Sequence, residues 1–237
     1  MERITSVFPS AVSSNELVAL VKKTLKEHGF RRATTLLATA TCPEAFGRDL
    51  EKKFGKVYGD HVPIGGLAGF AFGGARSFGE IVDSMIYCGD ALIAYGPHMC
   101  VDADGIFTTG CKSAEKAADY IKNVRKGGRE MTLDDVMQDG LCMDVEQYFL
   151  QNALMPFGDR LEAAKDVTEL PMVLYDAQTE MMEELVKDGC QKEDINGFVA
   201  LLGGIQINTP KGVSDYFLPL KFELRDKEGD LVKDLMW

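Results

Sequence analysis

Three residue clusters carry most of the chemistry that this sequence could perform: Cys42-Pro43-Glu44-Ala45-Phe46-Gly47-Arg48, Tyr95-Gly96-Pro97-His98 and Thr109-Gly110-Cys111. Each follows, or lies just beyond, a short apolar run that reads as a strand. Two thiolates and one imidazole are the ligands of a zinc ion that keeps its fourth position open, whereas structural zinc sites close all four positions and bring their cysteines in tight pairs. The pattern therefore favours zinc-activated hydration or hydrolysis over a structural knot. Cys100 competes with Cys111 for the third ligand position, because His98 and Cys100 are two apart and share a face on a strand. Cys111 is the preferred reading, since it follows the Gly110 bend and precedes a helix, from which a thiolate can be aimed back across the strand ends.

The elements that must position these groups follow from periodicity and caps. Ser14 to Glu27 reads as a helix with Leu17, Leu20, Val21 and Leu25 on one stripe, a stop at Gly29 and His28 at its end. Ala33 to Thr41 is an apolar run without alternation, which suits a strand buried on both faces of a parallel sheet. Pro43 fits the first turn of a helix running to about Phe54, with Gly55 as its stop, so Cys42 falls at a strand-to-helix switch. Ala91 to Tyr95 is a second strand that brings His98 to the same edge, and Ser113 to Arg125 is a helix just after Cys111. Thr132 to Lys187 reads as helical, with interruptions near Gly140, Pro156 to Gly158 and Pro171. Val199 to Asn208 and Tyr216 to Arg225 read as strands, followed by a turn and a last strand near Leu231. The expected fold is α/β: a mostly parallel sheet flanked by helices, with a helical insertion and C-terminal strands, in one domain over residues 1–237.

Composition narrows the function classes. The 237 residues are 46% apolar and carry a formal charge of -11, which supports a sizeable core and speaks against nucleic-acid or anionic-membrane partners. No apolar run approaches the roughly 20 residues of a membrane span. Met1 to Ser14 lacks the features of a secretory signal. The six cysteines are thus expected as reduced thiols inside the cell, in the cytoplasm, or in a plastid where a transit peptide has been trimmed. Cys88, Cys142 and Cys190 read as small buried hydrophobes. His61 reads first as a structural hydrogen-bonder and only second as a proton shuttle. The loop from Gly65 to Gly74 lacks the Lys-Ser/Thr of a P-loop, and its Gly66, Leu67, Phe70 and Phe72 suit the wall of a small dry pocket or a subunit contact.

Cys42-x-Glu44-x-x-x-Arg48, Tyr58-Gly-Asp-His61, the Gly65-Gly-Leu-Ala-Gly-Phe70 loop, Tyr95-Gly-Pro-His98 and Gly203-Gly-Ile-Gln-Ile-Asn208 together closely resemble the limiting-CO2-inducible B/C proteins. These are carbonic anhydrase relatives of algae and bacteria, similar in fold to β-class enzymes. The resemblance runs from about Phe8 to Glu223. It implies one zinc per chain held by Cys42, His98 and Cys111, reversible hydration of CO2 to bicarbonate, and a homodimer with its sites near the subunit interface. Two departures stand out: Glu44 replaces the family's usual Asp, and the segment before Cys111 looks shorter than in algal members.

The residues support the same chemistry. Two thiolates neutralise the ion, so neighbouring groups must help acidify and orient the attacking water. Glu44 would accept its hydrogen bond, and Arg48, four residues on, would hold that carboxylate off the metal. Leu67, Phe70 and Phe72 would wall an apolar triatomic substrate, and His61 or a water chain would carry the proton away. Two other classes stay open: a family member that binds zinc but acts through protein interaction, and a thiol redox protein, although no Cys-x-x-Cys occurs.

Overall fold

A computed structural model describes residues 2–44, 49–59, 61–74, 79, 81, 89–138, 145–192 and 197–237. In chain order these form α1 (Glu2–Val7), β1 (Val12–Ser13), α2 (Ser14–Glu27), β2 (Thr35–Thr41), α3 (Asp49–Tyr58), β3 (His61–Pro63), β4 (Asp90–Gly96), β5 (His98–Val101) and β6 (Phe107–Thr108). They continue with α4 (Lys112–Arg125), α5 (Leu133–Gln138), α6 (Val145–Leu154), α7 (Gly158–Ala163), α8 (Glu169–Lys192), β7 (Val199–Asn208), β8 (Tyr216–Arg225) and β9 (Leu231–Asp234). Short 3-10 turns cover Leu67–Gly69 and Met155–Phe157.

The nine strands among the described residues join one sheet, in the order β1-β8-β7-β4-β2-β3, with β5 and β6 branching from β7 and β9 pairing β8. The β3-β2-β4-β7 centre is parallel, and β8 closes it antiparallel. Every residue of β2 and β7 is buried, as runs without polar alternation require when helices cover both faces. One face packs Leu36, Ala38, Ile93 and Leu201 against Met182 and Val186 of α8. The other packs Leu37, Leu92 and Leu202 against Leu17, Val21 and Leu25 of α2 and Phe54 of α3. A third cluster, beyond the carboxyl ends of the strands, joins α4, α6 and α7 to the Phe70 loop.

β4 and β5 lie end to end along β7: Ala91 to Tyr95 pair with Val199 to Gly203, and His98 to Cys100 pair with Gln206 to Asn208. The step between them is Gly96-Pro97. Gly96 has φ 153°, and a Cβ there would stand 1.7 Å from the Gly204 carbonyl oxygen. The two motifs Tyr95-Gly-Pro-His98 and Gly203-Gly-Ile-Gln-Ile-Asn208 are therefore the facing halves of one crossing.

Three expected boundaries shift. The strand around Cys42 starts at Thr35 rather than Ala33. α3 runs through Gly55 to Tyr58 and starts at Asp49; Pro43 lies in a turn, and Gly59, with φ 102°, follows the helix end. Pro171 lies in the first turn of α8, where its missing N–H goes unused, and the chain breaks earlier, between Ala163 and Glu169. Gly140 lies outside the described residues.

Candidate metal centre

Cys42 follows the last residue of β2, His98 opens β5, and Cys111 immediately precedes α4, so three separate elements deliver the sulfurs and the imidazole to one sheet edge. One ligand atom each from Cys42, Glu44, His98 and Cys111 lies within 4.8 Å of all the others. Cys42, His98 and Cys111 are 1%, 1% and 2% exposed. Glu44 forms the more open rim. The Cys42 and Cys111 sulfurs are 3.8 Å apart, far beyond a disulfide. Two thiolates bound at about 2.3 Å to one tetrahedral ion stand roughly that far from each other.

His98 Nδ1 lies 3.2 Å from the Asn208 side-chain amide, whereas His98 Nε2 is buried and has no hydrogen-bond partner. A bare, buried ring nitrogen beside two sulfurs is a donor set suited to zinc, so the residues fit the ion that the sequence implies. Cys100 is not in the 4.8 Å group; its sulfur lies against Gly110, where a Cβ would come within 2.6 Å of it.

The electrostatics agree with a ligand set. A hydrogen bond with the Cys111 thiol holds Cys42 well below the ordinary thiol range, against its burial and with help from His98; the same contact pushes Cys111 up. Burial would lower His98, but the neighbouring Cys100 and Cys42 sulfurs lift it to about 9. Glu44 is lowered despite its partial burial, because its carboxylate accepts from Ser113 Oγ at 2.6 Å and from the Lys112 N–H at 3.0 Å. Arg48 lies outside the described residues, so the partners shown for Glu44 are those of the α4 amino end.

The loop beside the cluster is packed inside its own chain. Phe70 is fully buried, Gly66 N–H donates to Phe70 O at 2.7 Å, and Leu67 N–H donates to Glu146 of α6 at 3.0 Å. Gln178 of α8 ties the loop to β2 by donating to Gly69 O and, at 2.9 Å, to Ala40 O. Phe70 stacks on Phe72 with ring centroids 5.7 Å apart, and Phe70 shares its cluster with Cys42 and Cys111, with Leu67 and Phe72 against it. Of the two readings for this loop, a pocket wall or a subunit contact, the second does not fit Phe70 itself, which α4, α6 and α8 cover within the chain.

His61 is not brought to the cluster. It pairs with Leu37, five residues before Cys42 on β2, or about 16 Å along the strand at ~3.3 Å per residue. Its Nε2 stands 3.7 Å from Glu51. At that distance the two make no hydrogen bond; Glu51 is a buried carboxylate that accepts from the Thr39 and Thr41 hydroxyls. Cys190 is buried, which raises its thiol to about 11 and makes it inert. Cys88 and Cys142 lie outside the described residues.

A buried Cys2His set with an adjoining carboxylate, at the carboxyl edge of a mostly parallel sheet, defines an α/β protein built around a candidate metal centre. Residues 11–226 match the model of the limiting CO2-inducible proteins B/C beta carbonic anhydrases, and the chain belongs to that family. It is similar to the crystal structure of PtLCIB4, a homolog of the limiting CO2-inducible protein LCIB, at 36% identity and TM-score 0.88, with 99% of each chain covered. It shares the fold of LCIB itself, at 18% identity and TM-score 0.69 over 97% of this chain and 96% of that one. No curated protein sequence matches it.

Proposed function

We propose that the protein catalyses the zinc-dependent, reversible hydration of CO2 to bicarbonate, with one zinc per chain held by Cys42, His98 and Cys111. The observation that carries this is the convergence of those three groups and Glu44 within 4.8 Å at one buried sheet edge, in a chain of a carbonic anhydrase family. Bound there, zinc would supply the Lewis acidity that makes water a nucleophile near neutral pH. The chain supplies the rest. Glu44, held ionised by Ser113 and Lys112, accepts a hydrogen bond from the attacking water and so aims its lone pair at the CO2 carbon. Arg48, outside the described residues, is assigned a second restraint on that carboxylate only from its place four residues on in the sequence. Phe70, Phe72 and Leu67, with Gly66, wall the substrate side and exclude bulk water. His61 would serve as a proton outlet only by way of Glu51 and Thr41, across the 3.7 Å that separates its Nε2 from the Glu51 carboxylate.

The chain is taken as one domain over residues 1–237, supported by the single sheet that its strands share. Among the described residues no helix is long and apolar enough to cross a membrane. A reducing compartment, cytoplasm or plastid, would keep the ligand thiols available. A homodimer, the assembly that the family resemblance implies, would use a surface other than Phe70; light scattering at micromolar concentration tests it, and a monomer refutes it. The activity is tested by stopped-flow CO2 hydration on protein of measured zinc content. Turnover that scales with zinc supports the reading, and none above the uncatalysed rate in fully loaded protein sinks it.

A further inference from the structure

His98 is a metal ligand only if its ring nitrogens are correctly assigned. A neutral imidazole carries its proton on one nitrogen, and only the other can bind a metal. The group that faces Nδ1 is Asn208, 3.2 Å away. The parallel pairing of β5 with β7 puts it there: His98 is opposite Gln206, and Cys100 is opposite Asn208. Met99 and Val101, with Ile205 and Ile207, turn into the apolar core on the other face, so His98, Cys100, Gln206 and Asn208 share the site face. Asn208 is 3% exposed.

The oxygen and nitrogen of a side-chain amide are distinguished by their hydrogen bonds. With the NH2 group toward Nδ1, that nitrogen would have to accept, and the ring proton would have to lie on Nε2, among the sulfurs. With the amide turned over, Oδ1 accepts the Nδ1–H and Nε2 presents a bare lone pair toward Cys42 and Cys111. We propose that Asn208 is the positioning residue that fixes this tautomer of His98, an inference that rests on the metal-centre reading above. An amide also suits the charge balance. Two thiolates already neutralise a divalent ion, and a carboxylate behind His98 would make the centre anionic and a weaker acid catalyst.

Long-range 1H–15N spectroscopy of the zinc-loaded wild type separates Nδ1 from Nε2, and with only three histidines the His98 signals are assigned by difference with His98→Ala. A protonated Nδ1 is expected; a protonated Nε2 overturns the proposal without any Asn208 variant. Chelator competition on Asn208→Leu, with folding checked by circular dichroism, should show zinc held about 10–100-fold more weakly, and Asn208→Asp should restore affinity while lowering hydration. Wild-type zinc affinity in folded Asn208→Leu also overturns the role of Asn208. Full zinc in His98→Ala instead overturns the ligand set, which keeps the two failures apart.

Discussion

The Ser113 hydroxyl donates a 2.6 Å hydrogen bond to Glu44 across 69 residues of sequence. Glu44 accepts the Lys112 N–H with its other oxygen, and the N-cap residue of α4, Cys111, makes no side-chain capping bond. Glu44 thus caps α4 while lying within reach of the ligand atoms. We expect Ser113→Ala to leave zinc content unchanged and to lower hydration several-fold, with a stability loss of about 1 kcal/mol for a partly exposed charged hydrogen bond. Elemental analysis, stopped-flow rates and thermal melts read the three quantities. Undiminished hydration in Ser113→Ala would remove Ser113 from the orientation of Glu44.

The side-chain length at position 44 gives a second test. Aspartate is one methylene shorter and cannot span to both Lys112 N–H and Ser113 Oγ from the same backbone. Glu44→Asp is therefore expected to lose about 0.5–2 kcal/mol of capping while still hydrating CO2. A variant much faster than the parent would mean that the natural glutamate acts as a brake.

Ligand identity is read directly. Cys42→Ser, His98→Ala and Cys111→Ser should each lose zinc, whereas Cys100→Ser, outside the 4.8 Å group, should keep it. If Cys100→Ser alone abolishes binding, the third ligand is Cys100.

Zinc affinity should depend on pH with a definite sign. His98, at about 9, and Cys111, which is raised, both hold protons near neutrality, and a metal must displace them. Affinity measured after chelation should therefore rise from pH 6 to 9, by up to about a hundredfold per unit where two protons leave, and less steeply above the His98 value. A flat profile over that range contradicts the protonation states described.

Two glycines should respond oppositely to alanine. At Gly96 a Cβ would meet Gly204 O at 1.7 Å, so Gly96→Ala should cost more than about 3 kcal/mol or prevent folding. At Gly55, inside α3, nothing lies within 4 Å of a Cβ, and Gly55→Ala should stabilise by roughly 0.5–1 kcal/mol. Denaturant melts compare the pair.

That second position shows where sequence reasoning stops. A glycine ends a helix when the chain needs a positive φ there; Gly55 and Gly59 look alike locally, and only the latter is used so, at φ 102°. Cys42, His98 and Cys111 were legible as a group at one sheet edge, because each directly follows, opens or precedes an element whose apolar run is plain. Ser113 and Asn208 were not, because their contacts depend on which distant backbone lies opposite: Ser113 meets Glu44 across the top of the sheet, and Asn208 meets His98 through strand register. Phe70 looked like an interface residue because an apolar, glycine-rich loop does not announce that three helices cover it.

The shared crossing of β4 and β5 on β7 divides the candidate metal centre into parts of unequal permanence. His98 and Asn208 hang on adjacent, in-register strands inside the sheet, whereas Cys111 depends on the first turn of α4, and Glu44 on a turn that the same helix end secures. Local opening starts at helix ends and loops before it reaches central strands. On partial destabilisation the site should therefore come apart from the thiol and carboxylate side, leaving the imidazole in place as the last ordered fragment, to which the returning helix end closes when the fold recovers.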